Sequence, residues 1–500
     1  MTLHNLAQIL NEVVPHAHYV GGIVRNSLLG LPSGDIDITL PACDVKPAAL
    51  AIAKRLKAAS FEMDAELGVW RLVAHAHKIQ IDLTAYQGKN LQEDLLRRDF
   101  SLNALAYPVS ALPEIVIEPR EGQKAQILLK NLQKEKIVDE TGGLKDIATK
   151  VIRVNGKNHF QDDPLRMLRA FRSSAELGFT ITPRTLTQIK KDAPLIVNSA
   201  GERIKEELDR LFSTACAYEK ICEMDKCGLL TALFPDLESQ RTCAEVYYGK
   251  GGVLKHTLLV FKRMEWLLEN LDKAFGPFAQ KLASLTQNKA LYKMTALLHD
   301  VAKPSTAKVK QDRLRFFYHE QKGAKMARTI LQNLHYSRAD IRLITAMIGE
   351  HLRPSNLASN NVLTDRGIYH FFRDMGEAGL PLLLLCWADY TSYVTDVQLK
   401  QILPHSSDRL MTIAQASRFE NVGKTLRHLQ VLWVLLDKYF QAPQKVRPQR
   451  LITGQDVMMT LRLSPGPRVG EILERVSLAQ VEGTIVTRED ALNFIKQEFK

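Results

Sequence analysis

Two aspartates one residue apart, Asp35 and Asp37, lie in Gly34-Asp35-Ile36-Asp37-Ile38-Thr39-Leu40. The alternation predicts a strand, in which side chains two apart share a face. The carboxylates then stand side by side, and Ile36, Ile38 and Leu40 enter a core. Neighbouring carboxylates repel unless a cation lies between them. Few, hard oxygen ligands suit Mg²⁺ carried in with a phosphate-bearing substrate. Upstream, an apolar run reaches Tyr19-Val20 and meets Gly21-Gly22, and a helix is predicted from Ile23 to Leu29. A Gly-Gly turn ahead of a helix bares backbone N–H groups that can hold a triphosphate.

Three later segments carry compatible chemistry. Ile79-Gln80-Ile81-Asp82-Leu83-Thr84 predicts a second alternating strand, with Asp82 on the face opposite the apolar residues. Asp94-Leu95-Leu96-Arg97-Arg98-Asp99-Phe100-Ser101-Leu102-Asn103 holds two fixed cations for phosphate, and an amide that can both donate to and accept from a ribose or base. Asp99 can also cap a helix. Asp163-Pro164 predicts a helix start, with proline at the first helical position. Leu165, Leu168 and Phe171 form its apolar stripe. Asp163 and Arg166 lie three apart and share a face, as a salt-bridged cap also would.

After residue 245 the chemistry changes. His256, His299-Asp300, Lys303, His319, His351 and Asp389 are spread over helical patterns. One histidine on an apolar helix is ordinarily a satisfied core residue. A set of imidazoles and carboxylates suits a divalent transition metal, and Mg²⁺ or Mn²⁺ as well.

The elements that must position these groups begin with a helical pattern over residues 1 to about 20, marked by Leu3, Leu6, Ile9, Leu10 and Val13. Another helix is predicted over residues 47–59. With 500 residues, two to four domains are expected. The net charge of +12 favours a polyanionic partner. No apolar run approaches membrane-spanning length, and the N-terminus lacks a signal-peptide pattern. Six cysteines without CxxC spacing predict reduced thiols in a cytoplasmic protein.

The Gly-Gly turn coupled to Asp35 and Asp37 resembles the first motif of the nucleotidyltransferase superfamily that includes DNA polymerase beta. Arg97-Arg98-Asp99-Phe100-Ser101-Leu102-Asn103-Ala104 resembles a signature of bacterial class II tRNA nucleotidyltransferases and their poly(A) polymerase relatives. Gly142-Gly143-Leu144-Lys145-Asp146, Asp162-Asp163-Pro164-Leu165-Arg166 and Ser199-Ala200-Gly201-Glu202-Arg203 resemble the third, fourth and fifth motifs of that family. His256, His299, Asp300 and Asp389 resemble the core ligands of an HD domain, with Lys303, His319 and His351 accessory to them.

The resemblance implies an α+β head with a polymerase-beta-like sheet, followed by mostly helical neck, body and HD domains. The expected bounds are 1–140, 141–245, 246–400 and 401–500. It implies Asp35, Asp37 and Asp82 as catalytic carboxylates, the first two holding Mg²⁺. It implies Gly21, Gly22, Arg25, Arg97, Arg98, Asp99, Asn103, Asp163, Arg166 and Arg169 around CTP or ATP, with Asp163 and Arg166 selecting the base. The implied partner is the 3′ acceptor end of tRNA, and the HD ligands would hold a divalent metal (Ni²⁺, Mn²⁺ or Mg²⁺). An HD domain can be a working phosphohydrolase or an RNA-binding appendage.

The sequence departs from the family in four places. Asn26 stands where the family has Asp, and Asp162 where it has Glu. The segment between Asp82 and Arg97 is short, a mark of the CC-adding subtype. Pro113 to Glu140 is long, and is expected as a solvated insertion or a tRNA-contacting hairpin.

Overall fold

In the computed structural model, which describes residues 6–499 other than 66, 75–77, 121–123, 360–362 and 421, the chain divides into two units. These are Met1–Ser199 with Lys226–Ala232, and Ala200–Asp225 with Leu233–Lys500.

The first unit runs α1 (Leu6–Val13), β1 (His18–Val20), α2 (Gly22–Leu28), β2 (Ile36–Leu40), α3 (Ala42–Leu56), β3 (Ala59–Asp64), β4 (Val69–Ala74), β5 (Ile79–Ala85), α4 (Leu91–Arg97), β6 (Leu105–Pro108), β7 (Glu114–Glu118), β8 (Gln126–Lys130), β9 (Val138–Asp139) and α5 (Gly143–Ala148). It continues through β10 (Val151–Ile152), α6 (His159–Asp162), α7 (Arg166–Leu177), β11 (Thr180–Ile181) and α8 (Pro183–Asp192). Seven strands form one sheet in the order β3-β4-β5-β2-β1-β6-β9, so β2 is central. Ile36, Ile38 and Leu40 are fully buried, as their alternation requires. They join Tyr19, Ile23, Ile52, Ile81 and Leu83 in the head core.

Four expectations are adjusted. The strand begins at Ile36, so Asp35 is the last residue before it and only Asp37 lies within it. The helix expected at 47–59 starts at Ala42 and carries Pro47 inside it. Pro47, the sixth residue of this helix, lacks the N–H that would donate to the Cys43 carbonyl, so the ladder loses one bond there. The N-terminal helix covers Leu6–Val13, and Leu3 lies outside the described residues.

The fourth correction is larger. The 113–140 segment is not a solvated insertion. β7 and β8 pair as an antiparallel hairpin, and Ile115, Ile117, Ile127 and Leu129 are buried in the head core. Residues 121–123 of this segment lie outside the described residues. The hairpin also braces the approach to Asp35: Ser33 N donates to Ile127 O at 2.7 Å, and Leu129 N donates to Ser27 Oγ at 2.9 Å.

Among the described residues, the second unit is helical apart from one ribbon, β12 (Ala307–Lys310) and β13 (Arg313–Phe316). A capping box opens one of its last helices. Thr453 Oγ1 accepts from Asp456 N, and the Asp456 carboxylate accepts from Thr453 N, starting the helix Gly454–Leu461.

Candidate active site and metal centre

β2 and β5 are parallel neighbours with Asp37 opposite Asp82, and β4 places Arg71 opposite Asp82 on the other side. Asp35 and Asp37 are half-buried at the C-terminal side of the Gly/Pro/Ser loop. Burial, then the charges of Asp35 and Asp82, push Asp37 up to about 7, while Arg98 and Arg71 pull the other way. Such mutual repulsion is what a divalent cation relieves, and the all-oxygen donor set of Asp35 and Asp37 fits Mg²⁺.

Asp82, across from Asp37, carries an arginine partner. Arg71 Nε and Nη2 donate to its two oxygens at 2.8 and 2.7 Å, and Gln80 Nε2 donates to Oδ2 at 3.1 Å. Asp82 therefore stands beside the pair with its charge matched by an arginine. Arg71 also feels Asp35 and Asp37. Sequence reasoning missed Arg71. The available signal was a lone cation inside the apolar run Val69-Trp70-Arg71-Leu72-Val73.

The glycine turn reaches this pair. Gly21 has φ +69°, and a Cβ there would lie 3.2 Å from Arg98 Nη1 and 3.7 Å from Asp37 Oδ2. Arg98 is oriented by buried Asp94, to which its Nε and Nη2 donate at 3.2 and 3.0 Å. Arg97, in the last turn of α4, is exposed. Arg25 Nε and Nη2 donate to Asn26 Oδ1 at 2.9 and 2.8 Å, and Arg25 Nη1 donates to Asn103 Oδ1. Asn103 Nδ2 in turn donates to Asp99 Oδ1 at 2.9 Å. Asn26 Nδ2 donates to Ser33 Oγ at 3.0 Å and Pro32 O at 3.2 Å, bonds that an aspartate could not donate.

The base-selecting candidates are tied to the same segment. Asp163 Oδ1 accepts from Leu165 N at 3.2 Å, and regular helix begins at Arg166 rather than at Pro164. Asp163, Arg166 and Arg169 are half-buried. Arg166 Nη1 donates to His159 O at 3.4 Å, and His159 Nε2 lies 3.1 Å from Leu96 O. Asn155 Nδ2 donates to Arg98 O at 2.8 Å. The third motif locks in as well: Asp146 accepts from Ser101 Oγ and pairs with Arg153 at 2.6 Å.

The second unit brings all its predicted ligands together. The donor atoms of His256, His299 and Asp389 lie within 4.8 Å of one another, as do those of Asp300, His319 and His351. Asp300 Oδ2 is 3.3 Å from His256 Nε2 and 3.1 Å from His299 Nε2. Asp300 Oδ1 is 3.5 Å from His319 Nε2 and 3.8 Å from His351 Nε2.

The histidine rings are set by their other nitrogens. Nδ1 of His299, His319 and His351 donates to the carbonyls of Ala296, Phe316 and Ile348 at 2.8, 2.8 and 2.7 Å. Ser392 Oγ lies 3.2 Å from His256 Nδ1. Each Nε2 is thereby turned toward the cluster, where a cation would replace the proton that Asp300 favours on His299. His256 Nε2, His299 Nε2, Asp300 Oδ1 and Asp389 Oδ1 are buried with no hydrogen-bond partner among the described residues. Orphaned atoms converging on one point fit a divalent cation. Burial opposes ionisation of Asp300, yet His299 and Lys303 hold its carboxyl well below the usual range. Burial lowers His351 to about 4, so it stays neutral and able to ligate.

A carboxylate pair against a glycine turn on a mixed sheet, with a cationic segment behind it, defines a nucleotidyltransferase head. The buried His/Asp cluster defines an HD-type helical region. Residues 17–153 match the Poly A polymerase head domain model, 178–241 the model for a probable RNA and SrmB-binding site of polymerase A, and 253–394 the HD domain model. The chain is 28% identical over 492 residues to the A-adding tRNA nucleotidyltransferase of Deinococcus radiodurans, covering 97% of this chain and 95% of that one. It is 27% identical to the CC-adding tRNA nucleotidyltransferase of Synechocystis sp., covering 97% and 94%. The fold matches a solved Thermotoga maritima CCA-adding enzyme complexed with tRNA at a TM-score of 0.58 and 17% identity, covering 100% of this chain and 95% of that one. Along almost its whole length the chain is similar to bacterial tRNA nucleotidyltransferases, with a Poly A polymerase-type head and an HD domain.

Proposed function

We propose that this nucleotidyltransferase adds CMP from CTP to the 3′ end of tRNA and works in the cytoplasm. The observation that carries the reading is the Asp35–Asp37 pair set against the Gly21 turn and Arg98. The tRNA 3′-hydroxyl oxygen attacks the α-phosphorus of CTP in line, the bond to the β-phosphate oxygen breaks, and pyrophosphate leaves. Mg²⁺ held by Asp35 and Asp37 supplies charge neutralisation and a lowered hydroxyl pKa. Arg98, oriented by Asp94, and the N–H groups after Gly21 hold the triphosphate. Arg25 and Asp99 orient Asn103 toward the sugar. Asp163 and Arg166 offer donors and acceptors to the base edge.

The link between β5 and α4 supports CC addition without the terminal A. Residues 86–90 are short and tied down: Gln87 N donates to Asp94 Oδ1 at 2.9 Å, and Lys89 N donates to Glu93 Oε2 at 3.0 Å. Such a link leaves little room for the rearrangement that a switch from CTP to ATP needs. Three tRNAs, ending before CCA, after C and after CC, are offered with CTP or ATP and product length is read. CTP extends the first two and ATP is not added to the third. Addition of AMP to the CC-ended tRNA overturns the subtype: with CTP addition it makes this a full CCA-adding enzyme, without it an A-adding one, and with repeated AMP addition a poly(A) polymerase.

The orphaned atoms around Asp300 favour a second activity, metal-dependent phosphohydrolysis, for example of 2′,3′-cyclic phosphate ends. His256, His299, Asp300 and Asp389 would hold Ni²⁺, Mn²⁺ or Mg²⁺, which would supply Lewis acidity for hydrolysis. Lys303, whose charge Asp300 maintains against burial, faces the phosphate. Phosphate-ester hydrolysis lost in His299→Ala identifies it.

A further inference from the structure

Between Lys303 and His319, both at the HD centre, the chain inserts the ribbon β12–β13. Its register places Lys308 opposite Arg315 and Lys310 opposite Arg313. Residues two apart on a strand share a face, so the four cations form a two-by-two grid on one side of the ribbon. All four are exposed, and none has an ion-pair partner among the described residues. Like charges directly opposite in an antiparallel pair destabilise it. A two-stranded ribbon is marginal on its own. The sequence therefore maintains an arrangement that costs stability in the free protein, and a polyanion removes that cost.

The grid has the form of a rail. Its two rungs are about 7 Å apart, two residues along a strand, which suits consecutive phosphates of an extended strand better than one isolated phosphate. Beyond the second strand come Phe317 and Tyr318, 46% and 69% exposed. Tyr318 has φ +59°, a costly conformation for a bulky side chain. Cations tracking a backbone beside exposed aromatic rings are the pattern of single-stranded nucleic-acid binding. The rail leads to the centre, because Phe316 O accepts from His319 Nδ1 at 2.8 Å and the Phe316 ring lies 5.7 Å from Lys303 Nζ. Tyr247 Oη donates to Leu314 O at 3.0 Å and anchors the second strand of the ribbon.

We propose that this ribbon docks the backbone of a single-stranded RNA and delivers its phosphorylated end to the HD centre, so that the centre prefers a strand end over a free nucleotide. The preference rests on the phosphohydrolase reading above; the docking does not. The test uses the full chain and a fluorescent six-nucleotide uridine strand with a 3′-phosphate. Lys308→Gln, Lys310→Gln, Arg313→Gln and Arg315→Gln are combined in one variant. A charge-preserving variant exchanges Lys for Arg and Arg for Lys at the same positions.

The glutamine variant binds the strand at least tenfold more weakly at 0.1 M salt, and its log affinity against log salt flattens by about 3. The exchanged variant retains wild-type affinity. With Mn²⁺, hydrolysis of p-nitrophenyl phosphate is the same in all three proteins, while hydrolysis of the strand end falls in the glutamine variant alone. Unchanged strand affinity and salt slope in the glutamine variant overturn the docking role. So does loss of binding to phosphatidylserine vesicles with strand binding intact, which would make the ribbon a membrane contact. If the wild type hydrolyses neither substrate with Mn²⁺ or Ni²⁺, the phosphohydrolase reading and the substrate preference fall, and the binding measurement still decides the docking.

Discussion

Asp37 and Asp300 are both crowded carboxylates, yet their surroundings drive them in opposite directions. Asp37 has burial, Asp35 and Asp82 against its charge and rises to about 7. Asp300 is more deeply buried and still held low by His299 and Lys303. The head offers negative charge at a half-buried strand end, so a cation there is best delivered with the triphosphate. The HD centre is preorganised: backbone carbonyls and Ser392 set four imidazoles whose Nε2 atoms converge on one carboxylate. The contrast separates a carboxylate pair short of countercharge from a cluster whose ligands are already oriented.

The sharpest way to break this contrast is at the head. Asp35→Ala or Asp37→Ala lowers CMP addition by about a thousandfold or more, because charge stabilisation at the transferring phosphoryl group is lost. Metal retained by the HD centre after gel filtration is unchanged. A parallel loss of that metal would refute two independent centres. Next, His299→Ala weakens retention of the transition metal by about 10- to 100-fold or more, read by elemental analysis after dialysis. CMP addition stays within about twofold of wild type, and a larger fall would couple the two centres.

A smaller effect tests Arg71. Arg71→Ala leaves Asp82 unmatched beside Asp37. Addition slows about tenfold at pH 7 and recovers on raising the pH, and Arg71→Lys recovers part of the rate. An unshifted pH profile would make Arg71 only a strand-pairing residue. The smallest effect is on stability. In EDTA, Asp37 ionises near 7 in the fold and near 3.8 when unfolded. Between those values the folded state binds more protons, so its contribution to stability falls as pH rises. Thermal unfolding in EDTA shows this decline, Asp37→Asn flattens it, and Mg²⁺ with CTP offsets it. An identical slope in Asp37→Asn would place the titration elsewhere.

Much of this was legible locally. The alternation around Asp37 placed Ile36, Ile38 and Leu40 in the core, and all three are fully buried. Leu165, Leu168 and Phe171 follow helical spacing and are buried as one stripe. The HD ligands were visible as residue types, though their spacing over more than a hundred residues says nothing of geometry.

What residue identity and short-range periodicity determined is the strands that carry Asp37 and Asp82, the helix stripe of Leu165, Leu168 and Phe171, and the ligand types, because these depend on neighbours two to four residues away. Tertiary structure alone decided that Arg71 matches Asp82 across β4 and β5, and that the 114–130 hairpin is buried in the head core instead of being solvated. It also decided that His319 and His351 face Asp300, and that four ribbon cations stand rung to rung. Those are matters of strand register and helix packing, in which residues far apart in the chain are matched by burial and charge that no local pattern records.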